Sequence, residues 1–379
     1  MLPADAPAPR HRLFYVAGIV AANLPDLDLL YTAMTPPPLG YLLHHRGHTH
    51  TLVALAVQWV IVAAVVHAAA GRSLDASSRR RVWLLLAAGL LSHVLLDFGN
   101  SYGVHPFFPF DNRWYYGDAV FIFEPWLWLL LGVPVALTAV SSGVRLAVLG
   151  LLALLPAALA GGGIVPWRAV LALLVAAIVL GVTASRLSRR GRSLAAVAAS
   201  TAFVASLLGL SRVAQAEVRG LLRPAAGGEV LDVILTPDPA NAACWSAIAI
   251  ERYAADGTYV LRPATVSLFP RWQPPDTCAS HRFGGARPYR DLAGRIAAYE
   301  EIRQPLSRLR DLAQRDCQAA AWLQFGRAPV VDAGRIFDLR FEARGDNFTA
   351  MGIAPPGEDR TCPPRLTRWE PPRADLLRP

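Results

Sequence analysis

Four histidines stand within seven residues of this sequence, in the stretch HHRGHTH that precedes a long apolar run. Imidazole is the commonest neutral metal ligand in proteins, so the stretch predicts a metal site rather than the alternative, a polar loop at a membrane surface. The four are His44, His45, His48 and His50. Gly47 would permit a tight turn between them, and Thr49 would cap the helix that follows.

Two further motifs supply carboxylates. In NLPDLDLL, Asp26 and Asp28 would face the same way if the backbone is extended. A helix cap or a turn is the alternative reading. In HVLLDFGNSYG, His93 and Asp97 are four residues apart and share one face of a helix. That pair would bind a metal jointly, or Asp97 would orient His93, or the two would simply form a hydrogen bond within the helix.

A fourth segment, GVHPFFPFDNRWYYGDAVFIFEPW, contains aromatic residues typical of a membrane interface. Its ionisable residues are His105, Asp111, Asp118 and Glu124. Each of the three carboxylates is a candidate ligand, a group that orients a ligand, or a helix cap. Ionisable residues at membrane depth are costly and therefore point to function.

Long apolar runs must position these motifs. A spanning helix needs about 20 apolar residues, and six runs approach or reach that length: 52–70, 82–98, 120–140, 144–160, 167–185 and 194–210. An earlier run, 13–24, is about half as long as required and stops at Pro25, which predicts a broken or re-entrant helix. The predicted fold is mainly α, with a polytopic transmembrane helical domain over residues 1–211 and a soluble α+β domain over residues 212–379.

Arginine marks the cytoplasmic side of a membrane protein. Nine arginines lie in the loops 71–81 and 186–193 and at Arg145, whereas three lie on the opposite side. The alternation holds through all six runs. It predicts that HHRGHTH, the loop 99–119 and the C-terminal domain all lie outside the cytoplasm.

Composition excludes one class of partner. The net charge is +9 and every basic side chain is arginine, but after Ser211 there are 23 arginines against 20 acids. The soluble half is therefore nearly balanced, without the clustered basic face that nucleic-acid binding needs. The proline-rich N-terminus also does not resemble a cleaved signal peptide.

The C-terminal half contains all the cysteines: Cys244, Cys278, Cys317 and Cys362. In an oxidising compartment they predict two disulfides, with three alternative pairings, whereas free thiols are the other reading. Strands are expected at 230–237, 245–268 and 335–343, with a hairpin turn at Asp256–Gly257. Helices are expected near 289–302 and 305–325.

Several motifs together resemble a bacterial family of LexA-binding, inner-membrane-associated metal-dependent hydrolases. They are ANLPDLD, HHRGHTHT, HVLLDFGNSYG and DAVFIFEPW, and the resemblance extends to ILTPDPANAACWSAIAI and GRIFDLRFEA, which look like the C-terminal domain of longer members. The resemblance implies the metal ligands Asp26, Asp28, His45, His50, His93 and Asp97. Members usually carry an earlier Thr-His, which this sequence lacks; His11 matches it poorly.

Imidazole and carboxylate ligands together favour Zn²⁺, or else Mn²⁺, as one or two ions. Asp28 or Asp97 would accept a proton from the attacking water, and Arg46 would contact an anionic oxygen. The predicted function is hydrolysis of an ester or phosphoester in a lipid-linked or membrane-proximal substrate at the outer face of the inner membrane, with the C-terminal domain in the periplasm. The alternative is a catalytically incomplete metal-binding scaffold or envelope-stress protein that acts through its C-terminal domain.

Overall fold

The computed structural model describes residues 8–70, 74–139, 141–278, 287–341, 347–355, 361–363 and 367–378. For residues 8–11 it describes the backbone alone, so the side chain of His11 lies outside the description. Arg72 of the predicted cytoplasmic loop and residues 342–343 of the last predicted strand also lie outside it.

Helices form the N-terminal half. They are α1 (Ala8–Asn23), α2 (Leu39–His44), α3 (Leu52–Ala70), α4 (Ala76–Phe98), α5 (Pro125–Thr138), α6 (Ser142–Gly161), α7 (Trp167–Ser185) and α8 (Arg189–Leu221). Three short 3₁₀-helices, Leu24–Leu30, Thr32–Met34 and His48–His50, connect the first of them. The predicted runs 52–70 and 167–185 coincide with α3 and α7.

Six helical segments in the described part of the chain are long and apolar enough to cross a membrane. Five of them overlap predicted runs, and the remaining one, Arg12–Met34, takes the place of the predicted run 120–140. It comes first in the chain, and its helical run is longer than the predicted 13–24. The α-helix itself ends at Asn23, before Pro25, as predicted. A 3₁₀-helix that begins at Leu24, with Pro25 in its first turn, prolongs the run.

The predicted run 120–140 was too long. The helix there, α5, has 14 residues and spans roughly 21 Å, less than the ~30 Å hydrocarbon layer. The residues before it are held in a loop, because the backbone N–H groups of Ala119 and Val120 both donate to the carbonyl of Gly99 at 2.8 Å.

The helices bury a narrow face and expose aliphatic side chains elsewhere. Ala17 and Ala21 of α1 pack with Leu86 and Leu90 of α4. Leu171, Val175 and Ile178 of α7 are each more than 60% exposed. A helix with apolar residues all round is expected where lipid covers its outer surface.

The last helix of this half continues into the soluble domain. α8 has 33 residues, about 50 Å of helix. Ala214, Val218 and Leu222, at its C-terminal end, pack on the sheet against Trp245 and Val266. The change in composition at residue 211 therefore falls inside a continuous helix.

The C-terminal half contains two antiparallel sheets. The larger has the strand order β1–β2–β3–β5–β4, with β6 also paired to β3; the smaller has the order β7–β8–β9. Their bounds are β1 Gly228–Asp238, β2 Asn241–Tyr253, β3 Thr258–Ser267, β4 Arg290–Leu292, β5 Ile296–Ala298, β6 Ile302–Pro305, β7 Pro329–Asp332, β8 Arg335–Asp338 and β9 Met351–Gly352. Short helices α9 (Leu306–Arg315), α10 (Cys317–Trp322) and α11 (Ala374–Leu377) complete it. The predicted fold class is confirmed.

The helix expected near 289–302 was wrong, because this segment forms β4 and β5. Ala293 and Gly294 both adopt positive φ, 55° and 66°, which makes a tight turn between the two strands. The apolar residues Ile296 and Ala298 then pair with β3 and enter the core. The predicted helical region 305–325 is confirmed as α9 and α10.

Two disulfides join Cys244 to Cys278 and Cys317 to Cys362. The prediction that all four cysteines are paired is confirmed, and one of its three alternative pairings is selected. The first bond connects β2 to the segment after β3, and the second ties the start of α10 to the C-terminal tail.

The C-terminal domain packs on one end of the helical half. Arg340 Nη1 donates to the carbonyl of Ser101 at 2.6 Å, and Trp369 Nε1 donates to the carbonyl of Leu43 at 2.8 Å. Asp118 accepts two hydrogen bonds from Arg327. HHRGHTH, the loop 99–119 and the C-terminal domain therefore lie together at the same end of the helical half.

Candidate metal centre

Three segments bring the six predicted metal residues to one place. Asp26 and Asp28 lie on the 3₁₀-helix Leu24–Leu30. His45 follows α2, and His50 ends the 3₁₀-helix His48–His50. His93 and Asp97 occupy the last turns of α4. The backbone around Asp26 and Asp28 is therefore a 3₁₀-turn, the alternative to the extended conformation, and both carboxylates still lie near His45 and His50.

His93 is oriented by a helix terminus. Its Nδ1 donates to the carbonyl of Ala22 at 2.7 Å, since a carbonyl oxygen can only accept. Ala22 lies at the C-terminal end of α1, where carbonyls lack an intrahelical partner. His93 Nε2 therefore faces the cluster, 3.2 Å from Asp26 Oδ1 and 3.5 Å from Asp97 Oδ2, and in the neutral ring it would carry the lone pair that binds a metal.

Asp28 holds the HHRGHTH turn in place. Its fully buried carboxylate accepts from Thr49 Oγ1 at 2.8 Å and from the backbone N–H of Arg46 at 2.9 Å. It also lies 3.0 Å from His45 Nδ1 and 3.1 Å from His50 Nδ1. With Nδ1 engaged, His50 presents Nε2 to the cluster.

Three atoms at the centre are buried and have no hydrogen-bond partner: His50 Nε2, His93 Nε2 and Asp97 Oδ2. His50 Nε2 lies 3.2 Å from Asp97 Oδ2 and 3.4 Å from Asp26 Oδ1, close but not aligned for hydrogen bonds. With Asp26 they form a group whose ligand atoms all lie within 4.8 Å of one another. Buried polar atoms are normally paired, so this arrangement suits a cation.

A second group meets the same distance criterion: Asp26, Asp28 and His45. It shares Asp26 with the first group. Its other carboxylate, Asp28, already accepts from Thr49 and from the Arg46 backbone. The second group therefore offers a cation fewer free lone pairs than the first.

Excess negative charge surrounds His50. Burial of its ring lowers the pKa, but contacts with Asp26, Asp28 and Asp97 outweigh this and raise the pKa to about 10. The carboxylates thus favour a positive charge at the position of this ring. A divalent cation would satisfy the same demand once His50 is neutral.

Arg46 has protein partners in place of the predicted substrate anion. Its Nη2 lies 3.1 Å from Asp97 Oδ1, and its Nη1 donates to Asn100 Oδ1 at 2.9 Å. The guanidinium also lies over the ring of Tyr102, 4.8 Å from its centroid. Arg46 is 4% exposed, so it orients Asp97 and has little surface to offer a ligand.

The turn differs in detail from its sequence-based interpretation. Arg46, not Gly47, has positive φ, at 60°. Glycine is required at 47 by close approach, because a Cβ atom there would lie 2.9 Å from the carbonyl oxygen of His44. Thr51, not Thr49, caps α3 by accepting from the N–H of Ala54.

His44, His48 and His105 lie outside the cluster. His44 Nε2 lies 2.9 Å from Thr35 Oγ1, and the exposed His48 packs against Trp369. His105 is buried between Trp114 and Trp369, with ring centroids 3.8 and 3.9 Å away. Burial lowers the pKa of His105 to about 3, so its ring is neutral.

The carboxylates of the loop also have other roles. Asp111 pairs with Arg113 and Asp118 with Arg327. Glu124 caps α5 by accepting from the N–H of Trp126. Of the alternatives for Asp118, the helix cap is therefore excluded, because Glu124 occupies that position. Sequence reasoning overlooked Asn100, although it stands within the motif HVLLDFGNSYG.

The cluster opens to the surface at Asp26. This side chain is 37% exposed, whereas Asp28 and His50 are fully buried. Exposed leucines flank it on the same 3₁₀-helix: Leu27, Leu29 and Leu30, the last 79% exposed. The mouth of the site, where the cluster reaches the surface, thus consists of apolar side chains around the accessible carboxylate of Asp26.

Comparison with known proteins gives one family and one relative. Residues 1–185 match the family model described as YdjM inner membrane protein. The chain is 24% identical over 123 residues to the uncharacterized protein YfhP of Bacillus subtilis (strain 168). That match covers 32% of this chain and 36% of YfhP, so it spans about a third of the relative's length. No solved structure matches the chain.

Proposed function

We propose that this chain, a multi-pass inner membrane protein whose residues 1–185 match the YdjM inner membrane protein family model, is a metal-dependent hydrolase. The observation that carries the proposal is the convergence of His50 Nε2, His93 Nε2 and Asp97 Oδ2, all buried and without hydrogen bonds, next to Asp26. Two imidazoles and two carboxylates suit Zn²⁺.

One ion fits this arrangement better than two. The group Asp26, His50, His93 and Asp97 has free lone pairs, whereas Asp28 of the second group is occupied by donors of the HHRGHTH turn. A bound divalent ion would lower the pKa of a coordinated water and polarise the ester. Mn²⁺ is the alternative ion.

Other residues of the chain would orient the metal ligands and accept a proton. Asp28 fixes His45 and His50, and Arg46 fixes Asp97, so both hold the ligands in place. Asp26 is the accessible carboxylate of the three, and its second oxygen is the best-placed acceptor for a proton released to solvent.

The surroundings of the mouth indicate the substrate class. Leu27, Leu29 and Leu30 would contact acyl chains if the 3₁₀-helix lies at the bilayer boundary. We therefore infer an ester or phosphoester with a lipid moiety. Because Arg46 is engaged with Asp97 and Asn100, it gives no ground for choosing a phosphoester over a carboxylic ester.

Metal analysis of the full-length protein purified in detergent tests the proposal. Wild type should hold about one zinc ion per chain, and His50→Ala and Asp97→Ala should lose it. His48→Ala is the matched control, because His48 belongs to the same stretch but is exposed and outside the cluster. Wild type should also hydrolyse a carboxylic or phosphoric ester of a lipid, and a chelator should abolish this. Protein without metal after zinc and manganese loading would refute the proposal.

A scaffold function has one observation in its favour. Asp28 and Arg46, two of the three residues predicted to be catalytic, are engaged in holding the turn and Asp97. If His50→Ala and Asp97→Ala lose metal but keep full cellular function, the hydrolase proposal fails and the scaffold proposal stands.

We also propose that the metal centre and the C-terminal domain face the periplasm. The arginine distribution and the two disulfides support this side. Protein extracted from native membranes with thiols blocked should yield the peptide pairs linked through Cys244–Cys278 and Cys317–Cys362 without reduction. Four thiols that react with the blocking reagent would contradict it.

A further inference from the structure

A loop of the C-terminal domain exposes two large aromatic side chains beside the membrane-spanning helices. This aromatic loop, residues 268–273, directly follows β3. Phe269 is 46% exposed and Trp272 is 86% exposed. Their rings stack with centroids 5.9 Å apart. Tryptophan is highly buried on average in soluble domains, so such exposure calls for an explanation.

Hydrogen bonds and a disulfide hold the backbone of the loop in one conformation, so the fold itself keeps the two aromatic rings exposed. The N–H groups of Trp272 and Gln273 both donate to the carbonyl of Phe269, at 2.9 and 3.0 Å. Gln273 Nε2 donates to Thr277 Oγ1 at 2.6 Å. The Cys244–Cys278 disulfide closes the base of the segment.

A direct hydrogen bond fixes the position of the loop along the axis of the helices. Gln273 Oε1 accepts from Arg168 Nη2 at 2.8 Å. Arg168 lies in the first turn of α7, next to Trp167, which is 60% exposed. Tryptophan at the end of a spanning helix is typical of the membrane–water interface.

The sheet also touches the helical half at this end. The carbonyl of Ala240, in the β1–β2 turn, accepts from Trp126 Nε1 in the first turn of α5 at 3.1 Å. Cys244, close to that turn, pairs with Ser267, which immediately precedes the aromatic loop. The loop therefore projects from the end of the sheet that contacts α5 and α7.

We propose that the aromatic loop inserts into the headgroup region of the adjoining leaflet. Phe269 and Trp272 lie at the boundary between headgroups and acyl chains, and the exposed Arg271 lies near lipid phosphates. The loop is a second attachment of the sheet to the membrane, besides α8. This proposal is independent of the proposed hydrolase activity.

Site-specific fluorescence on the full-length protein in vesicles tests it. All cysteines in the described part of the chain are disulfide-bonded, so a dye sensitive to polarity would label only Trp272→Cys. The vesicles contain phosphatidylethanolamine and phosphatidylglycerol, with or without a lipid carrying a nitroxide near the headgroup. Trp167→Cys serves as a depth reference, and Asp256→Cys, in the exposed turn at the far end of β2, serves as the aqueous control.

The label at 272 should be quenched by the nitroxide lipid as strongly as the label at 167. Iodide in the buffer should quench it severalfold less than the label at 256. Phe269→Cys provides a second position if Trp272→Cys does not yield monodisperse protein. Labels at 269 and 272 that iodide reaches as readily as at 256, without quenching by the lipid, would overturn the proposal.

Discussion

The Nδ1 atom of His93 donates to the carbonyl oxygen of Ala22 at 2.7 Å, across 71 residues of chain. The contact links the end of α1 to α4 and fixes which nitrogen of His93 faces the cluster. The same principle governs His50, whose Nδ1 is held by Asp28. Metal-binding histidines are usually oriented through their second nitrogen in this way.

Replacing His93 should therefore remove metal affinity without unfolding the protein. In His93→Asn the short amide keeps a donor close to Ala22 but cannot supply Nε2. We expect zinc affinity to fall by at least about 100-fold, beyond the ~10–100-fold cost of losing an orienting partner. Competition with a chromogenic chelator measures it. Unchanged affinity would exclude His93 as a ligand.

The substitution Asp28→Asn distinguishes a centre that binds one metal ion from a centre that binds two. Because Asp28 orients His45 and His50 in the one-ion arrangement, we expect zinc affinity to fall by about 10–100-fold while the stoichiometry at saturation stays the same. Titration followed by metal analysis gives both quantities. A fall in saturated stoichiometry from two ions to one would instead identify Asp28 as a ligand of a second ion.

Arg46→Met should destabilise the protein more without metal than with it. The substitution leaves Asp97 without its cationic partner, and removing one member of a buried ion pair costs about 3–5 kcal/mol. Bound zinc would supply positive charge to the same carboxylate and reduce the loss. Thermal unfolding in detergent with and without zinc measures the difference. An equal loss in both conditions would mean that Asp97 is not a ligand.

Arg327→Met should weaken the contact between the two halves of the chain. Arg327 is buried and binds Asp118 of the helical half and Asp232 of β1. The substitution leaves Asp118 without this cationic partner, whereas Asp232 keeps its ion pair with Arg373. The loss at the buried Asp118 should lower the free energy of unfolding by about 3–5 kcal/mol. Arg295→Met is the matched control, because its ion pair with Glu217 is exposed and worth roughly 1 kcal/mol or less. Equal effects of the two substitutions would contradict the structural role of Arg327.

Glu124 should make stability depend on pH. Burial raises its pKa from 4.5 to about 7, despite hydrogen bonds from Trp126 and Ala240. The folded protein thus holds this proton more tightly than the unfolded chain. The stabilising contribution is complete below about pH 4.5 and is lost as the pH rises to about 7, a loss on the order of 3 kcal/mol.

The amide of Glu124→Gln can replace the protonated carboxyl as a cap and carries no charge. Relative to wild type, the variant should therefore be more stable at about pH 8.5 than at about pH 5. Thermal unfolding of both proteins at the two pH values tests this, because other titrating groups cancel in the comparison. The same difference in stability at both values would show that Glu124 titrates normally.

The sequence alone determined which side chains belong to the candidate centre. All six predicted metal residues come together, because motifs of ionisable residues in an apolar half have few reasons to exist apart from such a site. Apolar runs likewise identified the membrane half, and turn residues identified the β2–β3 hairpin. These signals are local, and each can be read within a short window of sequence.

Only the tertiary structure shows which partners these residues have. Asp28 and Arg46 were predicted to be catalytic; in the structure Asp28 contacts Thr49, and Arg46 contacts Asp97 and Asn100, so we propose that both orient the ligands. Backbone contacts also moved the ends of helices away from their predicted positions. The carbonyl of Gly99 accepts hydrogen bonds from residues 119 and 120 and holds them in a loop, and the chain continues past Pro25 as a 3₁₀-helix. Whether a carboxylate is free to bind a metal or already accepts hydrogen bonds depends on donors that are distant in the chain. Only the folded arrangement brings those donors into contact with it.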